Sequence, residues 1–135
     1  MTLVIVAIIM DNERVLLCQR KRTSRYGLKW EFPGGKLEQG ETAEACLQRE
    51  LQEELGIRAV IGDLYRSHVA TYADGGDFHV LYYRVTSFSG TPKNMVFETV
   101  RWVRMEEIPQ FDLLEGNAEV VKQLLLEHAP APRTG

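Results

Sequence analysis

The stretch Gly35-Lys36-Leu37-Glu38-Gln39-Gly40-Glu41-Thr42-Ala43-Glu44-Ala45-Cys46-Leu47-Gln48-Arg49-Glu50-Leu51-Gln52-Glu53-Glu54-Leu55-Gly56-Ile57 holds the pattern from which the rest of the chain can be read. Between Thr42 and Leu55, apolar Ala43, Leu47, Leu51 and Leu55 recur every four residues, which predicts a helix with one apolar stripe. Gly56 followed by apolar Ile57 predicts a left-handed terminus that stops it. At 3.6 residues per turn, Glu50, Glu53 and Glu54 stand at i, i+3 and i+4 and leave the helix from one face, beside that stripe. Like charges so spaced repel by roughly 0.2–0.5 kcal/mol per pair in an isolated helix. A hard divalent cation offsets the repulsion, because Mg²⁺ takes oxygen ligands, keeps several waters and bridges carboxylates to substrate phosphates. A bare Glu-Glu or Glu-x-x-Glu is more often a solvated acidic face, so the metal reading rests on the whole array.

Upstream, Leu3 to Met10 is rich in Val and Ile, and Asp11-Asn12-Glu13 separates it from Val15-Leu16-Leu17, which predicts an antiparallel hairpin. Residues 21–29 are basic and polar and lead into Trp30-Glu31-Phe32-Pro33-Gly34-Gly35, where Pro and paired Gly exclude a helix and predict a loop. Downstream, Ala59 to Tyr72 and Phe78 to Thr86 read as strands around the turn-forming cluster Asp74-Gly75-Gly76-Asp77. Val100 to Val103 reads as a further strand, and Ala118 to His128 as a final helix with Val120, Val121, Leu124 and Leu125 on its apolar face. Strands mixed with two helices and no internal repeat predict one α/β domain over residues 1–128, with 129–135 a disordered tail.

The 135 residues are 44% hydrophobic and 26% charged, enough to bury one sizeable core. A formal net charge of -3 provides no basic surface for long nucleic acid, so a small anionic ligand needs local positive charge or metal. Cys18 and Cys46 form no CxxC pair and have no nearby His, so neither zinc nor a disulfide is indicated and both read as buried small hydrophobes. The apolar opening is far shorter than the ~20 residues of a spanning helix and lacks a signal peptide's basic start, so no membrane is expected and a cytoplasmic location is.

Gly35, Glu41, Arg49, Glu50, Leu51, Glu53, Glu54, Gly56 and Ile57 together match the Nudix box at every specified position without insertion, and the chain resembles the Nudix hydrolases. That resemblance implies the Nudix fold, a mixed β-sheet sandwiched between helices in an α/β/α arrangement. It implies a loop-helix-loop in which Gly35 permits the turn, Glu41 and Arg49 hold the loop and Gly56 closes the helix. Glu50, Glu53 and Glu54, with Gly34 beside them, would bind Mg²⁺, for which Mn²⁺ can substitute. The segments Trp30 to Lys36 and Arg49 to Glu54 are similar to the MutT-like branch, which hydrolyses 8-oxo-dGTP and related nucleotides to a monophosphate and pyrophosphate and so clears oxidised purines from the precursor pool.

In such a reaction water must become nucleophilic while phosphate charge is neutralised, and metal-bound water of lowered pKa meets both needs. Glu53 is the first choice for general base, with Glu50 beside it among the catalytic groups. MutT-like enzymes usually add a carboxylate from the loop before the last strand, and here Glu98, four residues before Trp102, is the one available; an exposed strand-edge Glu is the competing reading. Arg20 and Lys36 are placed to meet phosphates, and Phe32, Phe78 and Asn117 to hold the base, although both Phe residues fit a core equally well. Asn117 corresponds to the branch's base-reading asparagine, yet it also precedes the last helix, where Asn is a favoured cap. CTP, a methylated dCTP, a dinucleoside polyphosphate or a nucleotide sugar are alternative substrates, and a non-catalytic Nudix-fold regulator is the rival class, disfavoured by the intact carboxylate set. Both a monomer and a homodimer are compatible with the sequence.

Overall fold

A computed structural model of the chain describes residues 1–128; the tail proposed for 129–135 lies outside the described residues. The opening hairpin comprises β1 (Thr2–Asp11) and β2 (Arg14–Gln19), joined through Asn12 and Glu13 in the left-handed region at φ 49° and 65°. Paired positive φ values of this kind give a turn whose twist matches that of the flanking strands. β1 is longer than its pairing with β2 requires, because its first half serves a different part of the sheet. There Val4, Ile5 and Val6 pair antiparallel with β4 (Gly34–Lys36), while Thr2 to Ile9 run parallel to β7 (Asp77–Val85) on the other side. β2 in turn carries β3 (Trp30–Glu31) and β9 (Thr99–Arg104), and β6 (Leu64–Thr71) closes the far edge beside β7.

Burial on both faces explains why β1 is a continuous apolar run rather than an alternating one. Ile5, Ala7 and Ile9, with Leu16 and Cys18 of β2, face α1 (Ala43–Leu55) and its Leu47, Leu51 and Leu55. Val6 and Ile8, with Val15 and Leu17, face the opposite layer of Val120, Val121 and Leu124 from α2 (Ala118–Glu127). The mixed sheet between two helices is the expected α/β/α architecture, and Cys18 and Cys46 are both buried within it.

Two local expectations are corrected, and two kinds of element are added. The strand expected from Ala59 to Tyr72 is broken into β5 (Arg58–Val60) and β6, because Gly62 passes so close to Arg84 that its N–H bonds the Arg84 carbonyl at 2.8 Å. The loop ending at Gly35 contains β3 and β4, whose partners lie in β2 and β1 and so leave no mark on the local sequence. The short strand β8 (Ser87–Ser89) pairs with β5. Finally, 3₁₀ turns over Met105–Gln110 and Glu115–Asn117 lead into α2.

Both ends of α1 follow from local chemistry. Thr42 lies at the N-cap, where its hydroxyl accepts the Ala45 N–H at 3.1 Å, and Gly56 ends the helix at φ 67° with its N–H on the Gln52 carbonyl. Thr42→Ala is expected to lower stability by about 1 kcal/mol through the lost cap. Gly56→Ala should cost about 1 kcal/mol through left-handed strain alone, since a Cβ there meets nothing. Urea unfolding of the two variants checks both values, and a loss well above 2 kcal/mol at Gly56 would show that its open surroundings are misassigned.

Candidate active site

α1 delivers its carboxylates onto the edge of β4, and Arg49 arranges them. Its guanidinium donates from Nε to Glu41 Oε2 at 2.8 Å and from Nη2 to Glu41 Oε1 at 2.9 Å, a bidentate pair that ties the loop before the helix to the helix itself. Glu41 also accepts the Glu38 N–H, and these bonds hold its carboxyl at about 2, well below the usual range. Nη1 of the same guanidinium reaches Glu50 Oε1 at 2.9 Å and Glu53 Oε2 at 3.4 Å.

Glu54 receives less help. It is half-buried, and its only hydrogen bond among the described residues comes from the Gly34 N–H to Oε1 at 3.2 Å. Burial and then the neighbouring Glu50 and Glu31 charges raise its pKa to about 8. Burial also raises the pKa of Glu50, whose carboxyl group lies so close to Gly35 that a Cβ there would overlap it. Burial likewise raises Glu31, against the opposing pull of Arg20, whose Nη1 donates to Glu31 Oε1 at 2.9 Å. Half-buried, mutually repelling carboxylates beside a glycine backbone are a donor set that fits a hard divalent cation. Among the described residues no three acidic, His or Cys side chains enclose a cation by themselves, so one bound here would complete its shell with water or phosphate oxygens.

Gly34 and Gly35, against which Glu54 and Glu50 lie, also line a cleft of about 330 Å³ whose walls include Glu31 and the rings of Phe32, Tyr72, Phe78 and Tyr82. All five residues expected at the substrate, Arg20, Phe32, Lys36, Phe78 and Asn117, line it. Phe32 belongs equally to the core, 3% exposed and edge-on to Tyr82 at 6.3 Å, so the two readings of that residue are compatible. Asn117 is buried and stands at the start of α2, but its side chain makes no capping bond; Oδ1 accepts instead from the Tyr82 hydroxyl at 2.7 Å. The capping role weighed from its position is therefore not what its side chain does. Glu98 has its N–H on the Gln19 carbonyl and its carboxylate 4.0 Å from Lys21 Nζ.

Several cleft residues were not singled out from the sequence. Tyr82 faces it from β7, and Arg25, Tyr26 and Tyr72 form its rim. Asp74 joins the rim's two loops, accepting from Arg25 Nε at 3.0 Å and from the Tyr26 hydroxyl at 2.7 Å, while Tyr26 stacks on Tyr72 at 4.8 Å. The available signal was Asp74 in its Gly-rich turn, read only as turn chemistry. Its partners lie 48 and 49 residues away in sequence, beyond what local pattern can reach.

Comparison with known proteins agrees with this geometry. The NUDIX domain family matches residues 1–124. A CTP pyrophosphohydrolase from Escherichia coli is 33% identical over 129 residues, covering 96% of this chain and 95% of that protein. An 8-oxo-dGTP diphosphatase from Haemophilus influenzae is 32% identical, covering 88% of each. Among solved structures, a MutT NUDIX hydrolase from Burkholderia pseudomallei superposes with a TM-score of 0.83 at 28% identity, covering 90% of this chain and 96% of that one. The box on α1, the sandwich that carries it and this match across nearly the whole domain establish that the chain belongs to the Nudix hydrolase family.

Proposed function

We propose that the protein is a Mg²⁺-dependent nucleoside triphosphate pyrophosphohydrolase that prefers oxidised purine nucleotides such as 8-oxo-dGTP. One observation carries this reading: a single cleft is lined by Arg20, Lys36, aromatic rings and Asn117, and also by Gly34 and Gly35, against which Glu54 and Glu50 lie. Cations beside a carboxylate-backed glycine pair, together with rings and an amide, are the chemistry that a nucleotide's phosphates and base require. Similarity to the H. influenzae diphosphatase supports the purine preference. The likeness to the E. coli CTP pyrophosphohydrolase favours CTP as the second reading.

In the proposed mechanism Glu50, Glu53 and Glu54 would hold the metal together with the Gly34 backbone, and the chemistry supplied there would be neutralisation of phosphoryl charge and a lowered pKa of bound water. Arg20 and Lys36 orient the phosphates, while Phe32 and Phe78 exclude water from the base end. Glu53, the outermost carboxylate of the three, takes the proton from the attacking water. Glu98 beside Lys21 is the alternative base.

Activity is expected to vanish in excess chelator and return with Mg²⁺ or Mn²⁺. Glu53→Gln and Glu54→Gln should each lower kcat by about 10²-fold or more, and Glu98→Gln by less. Full turnover in chelator would refute the metal assignment, and a larger loss at Glu98 than at Glu53 would move the base there.

Glu54 also predicts a pH dependence of stability without metal. Because its folded pKa lies near 8, above the ordinary 4.5, the native state binds this proton more tightly than the unfolded chain does. Its contribution is therefore fully present below about 4.5 and is lost as pH rises through about 8. The Tm of Glu54→Gln in chelator should rise relative to the parent protein between these limits, and Mg²⁺ should raise the parent's Tm more at pH 8 than at pH 5. Parallel melting profiles for parent and variant would contradict the assignment.

Products in ¹⁸O water decide the position of attack. Attack at the β-phosphorus yields nucleoside monophosphate and labelled pyrophosphate. Label confined to the monophosphate would place attack at the α-phosphorus, and free phosphate would indicate another reaction.

A further inference from the structure

The Asn117 amide is held in a way that its position at a helix start does not require. Its backbone is fixed first: the Asn117 N–H bonds the Leu114 carbonyl at 3.0 Å. The preceding Gly116 packs against the Tyr72 hydroxyl and Ala70 so closely that a Cβ there would overlap the hydroxyl. Its side chain then forgoes the capping bond and meets Tyr82. Tyr82 is 1% exposed, set on β7 and edge-on to Phe32, so its ring has no room to swing.

A phenol has one hydrogen to give. Two acceptors surround it, Asn117 Oδ1 at 2.7 Å and the Gly116 carbonyl at 3.4 Å, and the nearer takes it because the farther lies beyond the usual O–H···O range. An amide's oxygen and nitrogen diverge from its sp² carbon at roughly 120°, so binding the oxygen at Tyr82 aims the nitrogen elsewhere. Among the described residues Nδ2 has no hydrogen-bond partner, and it is not among the buried unpartnered atoms, whose sole member is Arg66 Nε. Asn117 lines the cleft, which is the space left to that nitrogen.

We infer that Tyr82 is a positioning residue that presents the Asn117 amide to the cleft as a hydrogen-bond donor, so that the site selects bases with a carbonyl oxygen on the edge being read. Guanine, its oxidised form and hypoxanthine carry such an oxygen at position 6, whereas adenine carries an amino donor there. Two donors facing each other in a desolvated cleft leave both unpaired, which is the kind of mismatch that binding sites reject strongly. This inference rests on the base end of the cleft proposed above and adds the polarity of the contact and the residue that sets it.

The test compares kcat/KM for dGTP and dATP in the parent protein, Tyr82→Phe and Asn117→Ala. Tyr82→Phe deletes only the hydroxyl, and the dGTP over dATP ratio is expected to fall about tenfold, with dATP turnover changed by less than about threefold; Asn117→Ala should lower the ratio likewise. If Asn117→Ala collapses the ratio and Tyr82→Phe preserves it, the orienting role is overturned while the base-end reading stands. If Asn117→Ala leaves the ratio unchanged, that reading falls and the inference with it. An equal loss on both nucleotides in Tyr82→Phe assigns the hydroxyl a merely structural role and overturns the inference. The parent protein offers a measurement that needs no variant: deoxyinosine triphosphate, which keeps the 6-oxygen, should be a much better substrate than the 2-aminopurine nucleotide, which lacks it. Equal turnover of these two overturns the inference as well.

Discussion

The Arg49 guanidinium is the contact on which the site is built. It sits among Glu38, Glu41, Glu50 and Glu53, and only its planar, five-donor fork can satisfy several carboxylates at once. By gripping both oxygens of Glu41 it fixes the loop before α1. The same group holds Glu50 against Gly35, at the point where helix and β4 meet. A lysine would offer a single point charge and could not hold two elements in a fixed relation.

One guanidinium cannot neutralise all of these carboxylates, and the deficit falls on Glu54. Its single backbone hydrogen bond leaves its pKa raised by burial and by Glu50 and Glu31. Crowded, half-buried carboxylates of this kind set the edge of α1 apart from a solvated acidic face. The charged layer sits directly on the hydrophobic one, since Leu47, Leu51 and Leu55 anchor the helix to β1 and so determine where the carboxylates emerge.

The cleft depends on β1 in the same way. Because that strand pairs with β4 at one end, with β2 at the other and with β7 along most of its length, it brings the glycine pair, the basic loop and the aromatic strand to one place. Arg20, Phe32, Phe78 and Asn117 come from four separate segments of the chain. They meet only because those segments attach to this scaffold.

What the sequence alone determined is what repeats over one or two turns of chain. The hairpin, α1 with its Gly56 stop, the shared face of Glu50, Glu53 and Glu54, and the apolar face of α2 all follow from spacings of a few residues and were legible for that reason. The tertiary structure alone decided the remainder. β3 and β4 became strands because distant partners supplied their hydrogen bonds, and the long strand from Ala59 failed because Gly62 had to pass close to Arg84. Asn117 had a reasonable local use as a cap, and a tyrosine 35 residues away claimed its oxygen instead. Local pattern cannot register such choices, because the energy that settles them comes from groups that only the closed fold brings within hydrogen-bonding distance.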